Sequence, residues 1–124
     1  MKDEKVQDLR VRTKEFALRI IQLYTCLPKT TEVQVIGKQV LRSGTSIGAH
    51  YREASRAKSD ADFISKIEGA LQELDETAYW LELLVESGIV KAEKLDSLIK
   101  ETDELIAILV TIATKVKNRL HKKG

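Results

Sequence analysis

The chain has 124 residues, of which 43% are hydrophobic and 32% are charged, with one proline and six glycines. This length suits a single domain, expected to span residues 1–124, and so few turn-forming residues exclude a multi-turn β fold. The charged N-terminus lacks the apolar centre of a signal peptide, and no apolar run approaches the ~20 residues that cross a bilayer. The single cysteine, Cys26, excludes an intrachain disulfide. We therefore expect a cytoplasmic protein with no membrane contact.

The net charge of +2 hides a segregation of charge along the chain. Residues 1–58 carry 12 basic against 6 acidic side chains, residues 59–104 carry 4 against 13, and residues 105–124 carry 5 against none. Such blocks are compatible with nucleic-acid binding, and they equally allow opposite charges to pair between neighbouring helices or subunits. The charge alone leaves both interpretations open.

Two helices are predicted in the first half of the chain. The first ends before Pro28, because a proline disfavours the α conformation in the residue before it. Its apolar positions, at helical spacing, are Val6, Leu9, Phe16, Ala17, Ile20, Tyr24 and Leu27. The second is predicted from an N-cap at Thr31 to about Ala57. At 100° per residue, a stripe about 60° wide on this helix holds Val33, Ile36, Val40, Ile47, Tyr51 and Ala54.

Two further helices are predicted in the second half. Ser59 is the expected N-cap of the third helix, and Gly88 is expected to end it. Its apolar face consists of Phe63, Ile67, Ala70, Leu71, Leu74, Ala78, Leu81 and Val85. The fourth helix covers roughly residues 92–121, with an inward face of Leu95, Leu98, Ile99, Ile106, Leu109, Ala113, Val116 and Leu120. Short connections between these helices predict an all-α, antiparallel, up-down-up-down four-helix bundle.

The last two helices carry more apolar surface than one core needs. Trp80 and Leu84, next to Tyr79, point away from the apolar line of the third helix, and Ile108 flanks the apolar face of the fourth. Because monomers seldom expose large apolar patches, we expect a homo-oligomer with these four residues at its interface. The alternative is a broad core face with scattered surface hydrophobes, which are ordinary.

The sequence offers no constellation for catalysis, for a cofactor or for a metal. His50 and Glu53 are one helical turn apart and could hold a proton or a metal, although an isolated pair of this kind is more often a surface hydrogen bond. Neither His50 nor His121 has a glutamate three residues before it, as di-metal bundles require. Cys26 is expected to be a small buried hydrophobe. We therefore expect that the protein is not an enzyme.

A basic stripe on the second helix is the candidate nucleic-acid site. Its members lie within about 40° of one direction, opposite the apolar stripe, and are Lys38, Arg42, Arg52 and Arg56. Thr45 and Ala49 between them are short, so a backbone phosphate could lie close to the helix. Contacts from lysine and arginine to phosphates dominate nonspecific affinity. The alternatives are a solvated face, or ion pairs with the acidic third helix of a neighbour.

The stretch from Gln39 to Leu84, QVLRSGTSIGAHYREASRAKSDADFISKIEGALQELDETAYWLELL, closely resembles the bacterial 23S rRNA intervening-sequence proteins. These proteins are encoded within insertions in 23S ribosomal RNA genes and elsewhere in genomes. The resemblance spans nearly the whole chain and implies a four-helix bundle that assembles as a homopentamer. A related branch, the accessory variability proteins of diversity-generating retroelements, implies nucleic acid and a reverse transcriptase as partners. The resemblance implies no catalytic role.

The family pattern maps onto residues of the second helix. The matching residues are Arg42, Ser43, Ser46, Ile47, Glu53 and Ala54, and His50 stands where the family usually has asparagine. If that asparagine ties adjacent helices or subunits by hydrogen bonds, His50 could replace it. The substitution would add sensitivity to pH, because imidazole titrates near neutrality.

The residues and the resemblance support three hypotheses. The first is a noncatalytic homo-oligomeric scaffold that binds RNA or DNA through basic faces repeated around a ring, where weak sites act together. The second is an adaptor whose arginines pair with an acidic partner protein, for example a reverse transcriptase or a ribosome-associated protein. The third, an enzyme that acts on RNA through His50 or Glu53, has the least support.

Overall fold

The computed structural model of the chain is a bundle of four helices. It describes the backbone of residues 2–123 and the side chains of residues 9–122. The helices are α1 (Lys2–Cys26), α2 (Thr31–Ser55), α3 (Asp60–Glu86) and α4 (Ala92–Lys123). The predicted all-α four-helix bundle is therefore confirmed. The side chain of Val6, predicted on the apolar face of α1, lies outside the described residues. None of the helices, over the part described, is long and apolar enough to span a bilayer.

Local signals in the sequence set most of the helix ends. Ser59 is the N-cap of α3, since its hydroxyl accepts a hydrogen bond of 3.1 Å from the backbone N–H of Asp62. Gly88 follows the end of α3 with a φ of +80°, in the left-handed region that favours glycine. At the start of α2 the predicted cap is wrong by one position. Thr30 is the extended N-cap residue, and Thr31 is already helical.

The apolar stripe predicted on α2 is confirmed. Its members Val33, Val40, Ile47, Tyr51 and Ala54 are buried, and Ile36 is half-buried. Two predictions about burial elsewhere are wrong. Cys26 is exposed, because it lies one position, or about 100° of helix, before the buried Leu27. Leu120, predicted to face inward, is 40% exposed near the end of α4.

The buried face of α3 is rotated from the predicted one. Half of the predicted face is buried, namely Ile67, Ala70, Leu74 and Leu81, and the other half, Phe63, Leu71, Ala78 and Val85, is only half-buried. The remaining buried positions are Ile64, Glu73, Thr77 and Leu84. Hydropathy could not predict this face, because two of its residues are polar. Leu84 is 0% exposed within the single chain, so its predicted place at an interface between copies is wrong.

Helix α2 packs against both α1 and α3, and α4 packs against α3. A smaller contact between α1 and α4 closes the bundle. There the guanidinium of Arg12 donates from Nε to Glu101 Oε2 at 3.0 Å and from Nη2 to Glu101 Oε1 at 2.7 Å. The hydrogen bond with Glu101 raises the pKa of Arg12 above its ordinary value, and burial opposes the shift. A two-pronged, largely buried pair of this kind is stronger than an exposed one.

Helices α1 and α2 approach each other closely along a row of glycines. Gly37, Gly44 and Gly48 all face α1. A Cβ atom added at Gly44 would lie 2.7 Å from Cγ1 and 2.9 Å from Cγ2 of Ile20. Ile20 is fully buried and β-branched, so it has little freedom to move aside. The small residues of the second helix therefore serve helix packing on this side.

We expect the Gly44→Ala substitution to destabilise the fold by about 1–3 kcal/mol. The cost of overpacking a core is larger than the ~1 kcal/mol that alanine gains over glycine in a helix. Urea denaturation followed by circular dichroism measures the change. Adding Ile20→Ala removes the clashing atoms, so the double variant should lose less stability than the two single variants together. A Gly44→Ala chain as stable as the wild type would contradict the close approach.

Candidate nucleic-acid interface

Three of the four predicted basic residues are exposed on the outer face of α2 or directly after it. Lys38 and Arg52 lie on the side of the helix opposite the buried stripe, and Arg56 is the exposed C-cap residue at its end. None of them forms an ion pair or a side-chain hydrogen bond with any side chain of residues 9–122. Their charges are thus not neutralised by the part of the chain that the structure describes.

The fourth predicted residue, Arg42, is paired within the chain. Its Nη2 atom lies 2.8 Å from Oε1 of Glu76, and its Nη1 atom lies 3.3 Å from Oε1 of Glu73, both on α3. Nε also donates to Oε1 of Gln39 at 3.4 Å. The ion-pair alternative therefore applies to Arg42, with the acidic third helix of its own chain as the partner. The nucleic-acid candidate shrinks to Lys38, Arg52 and Arg56.

Glu73 lies at the centre of a row of charged groups between α2 and α3. The residue is 9% exposed, and its Oε2 atom lies 3.8 Å from Nε2 of His50. On the other side of the imidazole, Nδ1 lies 3.5 Å from Oε1 of Glu53, and Glu53 Oε2 lies 3.9 Å from Nζ of Lys66. The contact between Glu53 and Lys66 is an ion pair, and the two contacts of His50 are ion pairs when the imidazole is protonated. Nδ1 of His50 is buried and has no hydrogen-bond partner among the described residues.

A buried hydroxyl pair continues the row toward the end of α3. Oγ1 of Thr77 lies 2.8 Å from Oγ of Ser43, and the Thr77 hydroxyl is also 2.8 Å from the backbone carbonyl oxygen of Glu73. Both residues are fully buried. A direct hydrogen bond therefore joins α2 to α3 in the interior, beside the Arg42 ion pairs.

The family-motif residues thus lie mainly at the contact between α2 and α3. Arg42, Ser43, His50 and Glu53 line it, Ile47 is in the core, and the Ser46 hydroxyl donates to the Arg42 carbonyl oxygen at 2.7 Å. His50 also packs against α3, because a Cβ added at Gly69 would lie 3.0 Å from its Nδ1. These motif residues therefore take part in the packing of α2 against α3.

Arg10 on α1 is a basic residue near this face that the sequence analysis missed. Burial raises the pKa of the Tyr51 phenol, while a hydrogen bond with Ser55 and the nearby charge of Arg10 act in the opposite direction. Arg10 therefore lies near the end of α2 that carries Arg52. It is exposed and has no ion-pair partner among the described side chains. The spacing along one helix could not reveal a residue contributed by another.

The aromatic residues predicted at an interface form a pair on α3. Tyr79 is 53% exposed, and its ring meets that of Trp80 edge-on, with centroids 5.0 Å apart. Trp80 is half-buried, and its Nε1 atom is buried without an acceptor among the described residues. Ile108 on α4 is half-buried as well. The assignment of Tyr79, Trp80 and Ile108 to an interface stays a prediction.

The His50–Glu53 pair has no further ligands around it that would make a metal site. Within the described residues, no group of three or more histidine, cysteine or carboxylate side chains could hold a metal ion. Both His50 and Glu53 face charged groups of α3 instead.

We expect Thr77→Val to destabilise the fold by about 1–3 kcal/mol, because it leaves the buried Ser43 hydroxyl without its partner on α3. The matched control is Thr111→Val. The Thr111 hydroxyl makes the same kind of bond to the carbonyl four residues earlier, but it is exposed and has no partner on another helix within residues 9–122. Chemical denaturation of both variants measures the difference. Equal losses of stability in the two variants would show that the hydrogen bond between Ser43 and Thr77 adds nothing to the free energy of unfolding.

Comparisons with known proteins agree with the four-helix fold. The 23S rRNA-intervening sequence protein family matches residues 7–111. A crystal structure of a protein of unknown function from the S23 ribosomal protein family of Bacteroides thetaiotaomicron is 44% identical. The match covers 92% of this chain and 99% of that one, with a TM-score of 0.82. No curated protein matches. The family match covers most of the chain, including every motif residue of α2, so the chain belongs to the 23S rRNA-intervening sequence protein family.

Proposed function

We propose that the chain is a noncatalytic, homo-oligomeric scaffold that binds the phosphate backbone of RNA or DNA through the outer face of α2. The observation that carries the proposal is the unpaired state of Lys38, Arg52 and Arg56 among the described side chains, while Arg42 beside them is held by α3. Surface cations of this kind attract phosphates. When they neutralise phosphates, the counterions condensed on the nucleic acid are released, and this release is the main source of nonspecific affinity.

The shape of this face supports contact with a backbone. Arg52 lies in the last turn of α2, and Arg56 is the C-cap residue that follows the helix four positions later, so both can reach one segment of a strand. Between Lys38 and Arg52 the surface is low, because Thr45 and Ala49 have short side chains. The Thr45 hydroxyl is already bonded to the Leu41 carbonyl oxygen at 2.7 Å. A phosphate can therefore approach the helix without displacing a large side chain.

Assembly of several copies would raise the affinity for nucleic acid above the low value that three cations on one chain give. Three cations on one chain give weak binding, but copies held in one assembly act at a high effective concentration. The family resemblance implies a pentamer, which would present this face five times. The noncatalytic part of the proposal is supported by the places of His50 and Glu53, which contact Glu73 and Lys66 between α2 and α3.

We expect duplex DNA or RNA to bind in a strongly salt-dependent manner. Replacing Arg52 and Arg56 with alanine should weaken binding between ~50 and ~200 mM salt and flatten the slope of log K against log salt. The slope should change by about 1 for each arginine that contacts a phosphate. Fluorescence anisotropy with a labelled oligonucleotide measures both quantities.

The charge-matched control is Lys91→Ala with Lys94→Ala, which removes two exposed lysines at the start of α4, the far end of α3 from Arg56. These substitutions should leave most of the affinity in place. Arg42→Ala should lower stability more than affinity, since it breaks the pairs with Glu73 and Glu76. Binding that is insensitive to salt, or no binding at low salt, would contradict the proposal.

The adaptor alternative is separated by a pull-down after nuclease treatment. Partners that persist after nucleic acid is destroyed, and that are lost with Arg52→Ala and Arg56→Ala, would indicate an acidic protein partner. Partners lost on nuclease treatment would support the nucleic-acid proposal.

A further inference from the structure

A stripe of exposed apolar side chains runs along the outer face of α1. Val11, Leu18 and Ile21 are 53%, 55% and 44% exposed. Together with Lys14 they follow the spacing i, i+3, i+7, i+10, which keeps all four on one side of the helix. The core uses the opposite side, where Phe16 is buried. The α1 stripe, defined as these four residues, is about 15 Å long.

A groove between α3 and α4 has a matching apolar floor. Its volume is about 350 Å³, and its exposed rim carries three carboxylates around the apolar side chains of Ala78, Val85 and Ile99. On α4 the floor continues at helical spacing through the half-buried Ile106 and the exposed Val110. The run from Ile99 to Val110 is about 16 Å long, close to the length of the α1 stripe.

The rim carboxylates of this groove are Glu82, Glu86 and Asp103. They form no ion pair with any side chain within residues 9–122. At the other end of the same α3–α4 seam the acids are neutralised, since Glu68 pairs with Lys117 at 2.9 Å and Asp60 pairs with Arg119 at 2.9 Å. The groove therefore combines an apolar floor with a net negative rim.

We propose that the α1 stripe of one copy docks into the α3–α4 groove of a second copy. The apolar side chains of the stripe cover the floor, and Lys14, which is exposed and has no ion-pair partner among the described side chains, meets the rim carboxylates. This inference rests on the proposed homo-oligomeric scaffold and names its contact surfaces. Tyr79, which is 53% exposed, lies about one turn before Glu82 on α3.

The two surfaces differ, so the contact is heterologous. Each copy presents one α1 stripe and one groove, and copies joined in this way form a ring where the rotation between neighbours closes the series. A contact of this kind leaves the outer face of α2 outside the interface. The same assembly can therefore expose Lys38, Arg52 and Arg56 on every copy.

The first test is the solution mass of the full chain by light scattering. We expect an assembled wild type and a shift of Leu18→Asp to the mass of one chain. The matched control is Val35→Asp, because Val35 is 59% exposed on α2, outside both surfaces, and should leave the assembly intact. An unchanged mass for Leu18→Asp, an equal loss in both variants, or a monomeric wild type overturns the inference.

The second test exchanges charges and does not depend on the apolar substitution. Lys14→Glu alone, and Glu82→Lys with Glu86→Lys alone, should each weaken assembly. A single chain that carries all three substitutions should assemble again, since every interface then joins opposite charges whatever the number of copies in the ring. Failure of this triple variant to assemble while it remains folded, or full assembly of each separate variant, overturns the inference.

Nucleic-acid binding by the same variants separates this inference from the proposed function. If Leu18→Asp keeps its mass while the wild type binds DNA in a salt-dependent manner, the docking surfaces are wrong and the proposed function stands. If Leu18→Asp becomes monomeric but the wild type binds no nucleic acid at low salt, the docking surfaces stand and the proposed function fails.

Discussion

The burial of Glu73 is the constraint on which the arrangement of α2 depends. A carboxylate that is only 9% exposed is costly unless charged or hydrogen-bonding groups face it. Arg42 lies 3.3 Å from one of its oxygens and His50 lies 3.8 Å from the other. These two residues are about two turns apart on α2. Their contact with a single side chain of α3 therefore fixes the rotation of α2 about its own axis.

With that rotation fixed, each side of α2 has a different role. Gly44 faces α1, where only glycine fits against Ile20, and Ser43 faces α3, where it bonds to Thr77. The remaining side carries cations that have no ion-pair partner among the described side chains, of which Arg52 is one. The basic face is therefore a consequence of packing as much as of composition. The same contacts that position the motif residues also decide which basic side chains form no ion pair with the described side chains.

Local signals and periodicity predicted the helices well, because caps and stripes depend on neighbours in sequence. Ser59, Gly88 and the Val40–Ile47 stripe are of this kind. Periodicity gives the direction of a side chain relative to its own helix, but it does not reveal what lies in that direction on another. The sequence therefore could not distinguish the roles of Arg42 and Arg52, because it does not reveal that Glu73 and Glu76 of α3 lie beside Arg42. For the same reason the burial of Leu84 was predicted wrongly.

The segregation of charge along the sequence leaves two charged surfaces on the folded chain when the charges that pair within it are not counted. Arg42, Lys117 and Arg119 each form ion pairs with acidic residues of α3. The charges outside these pairs form a positive outer face on α2 and a negative rim on the α3–α4 groove. A polyanion would be attracted to the first surface and repelled by the second. Docking of a second copy would cover the negative rim and repeat the positive face. In the proposed assembly, self-association therefore strengthens nucleic-acid binding twice, through avidity and through the loss of repulsive surface.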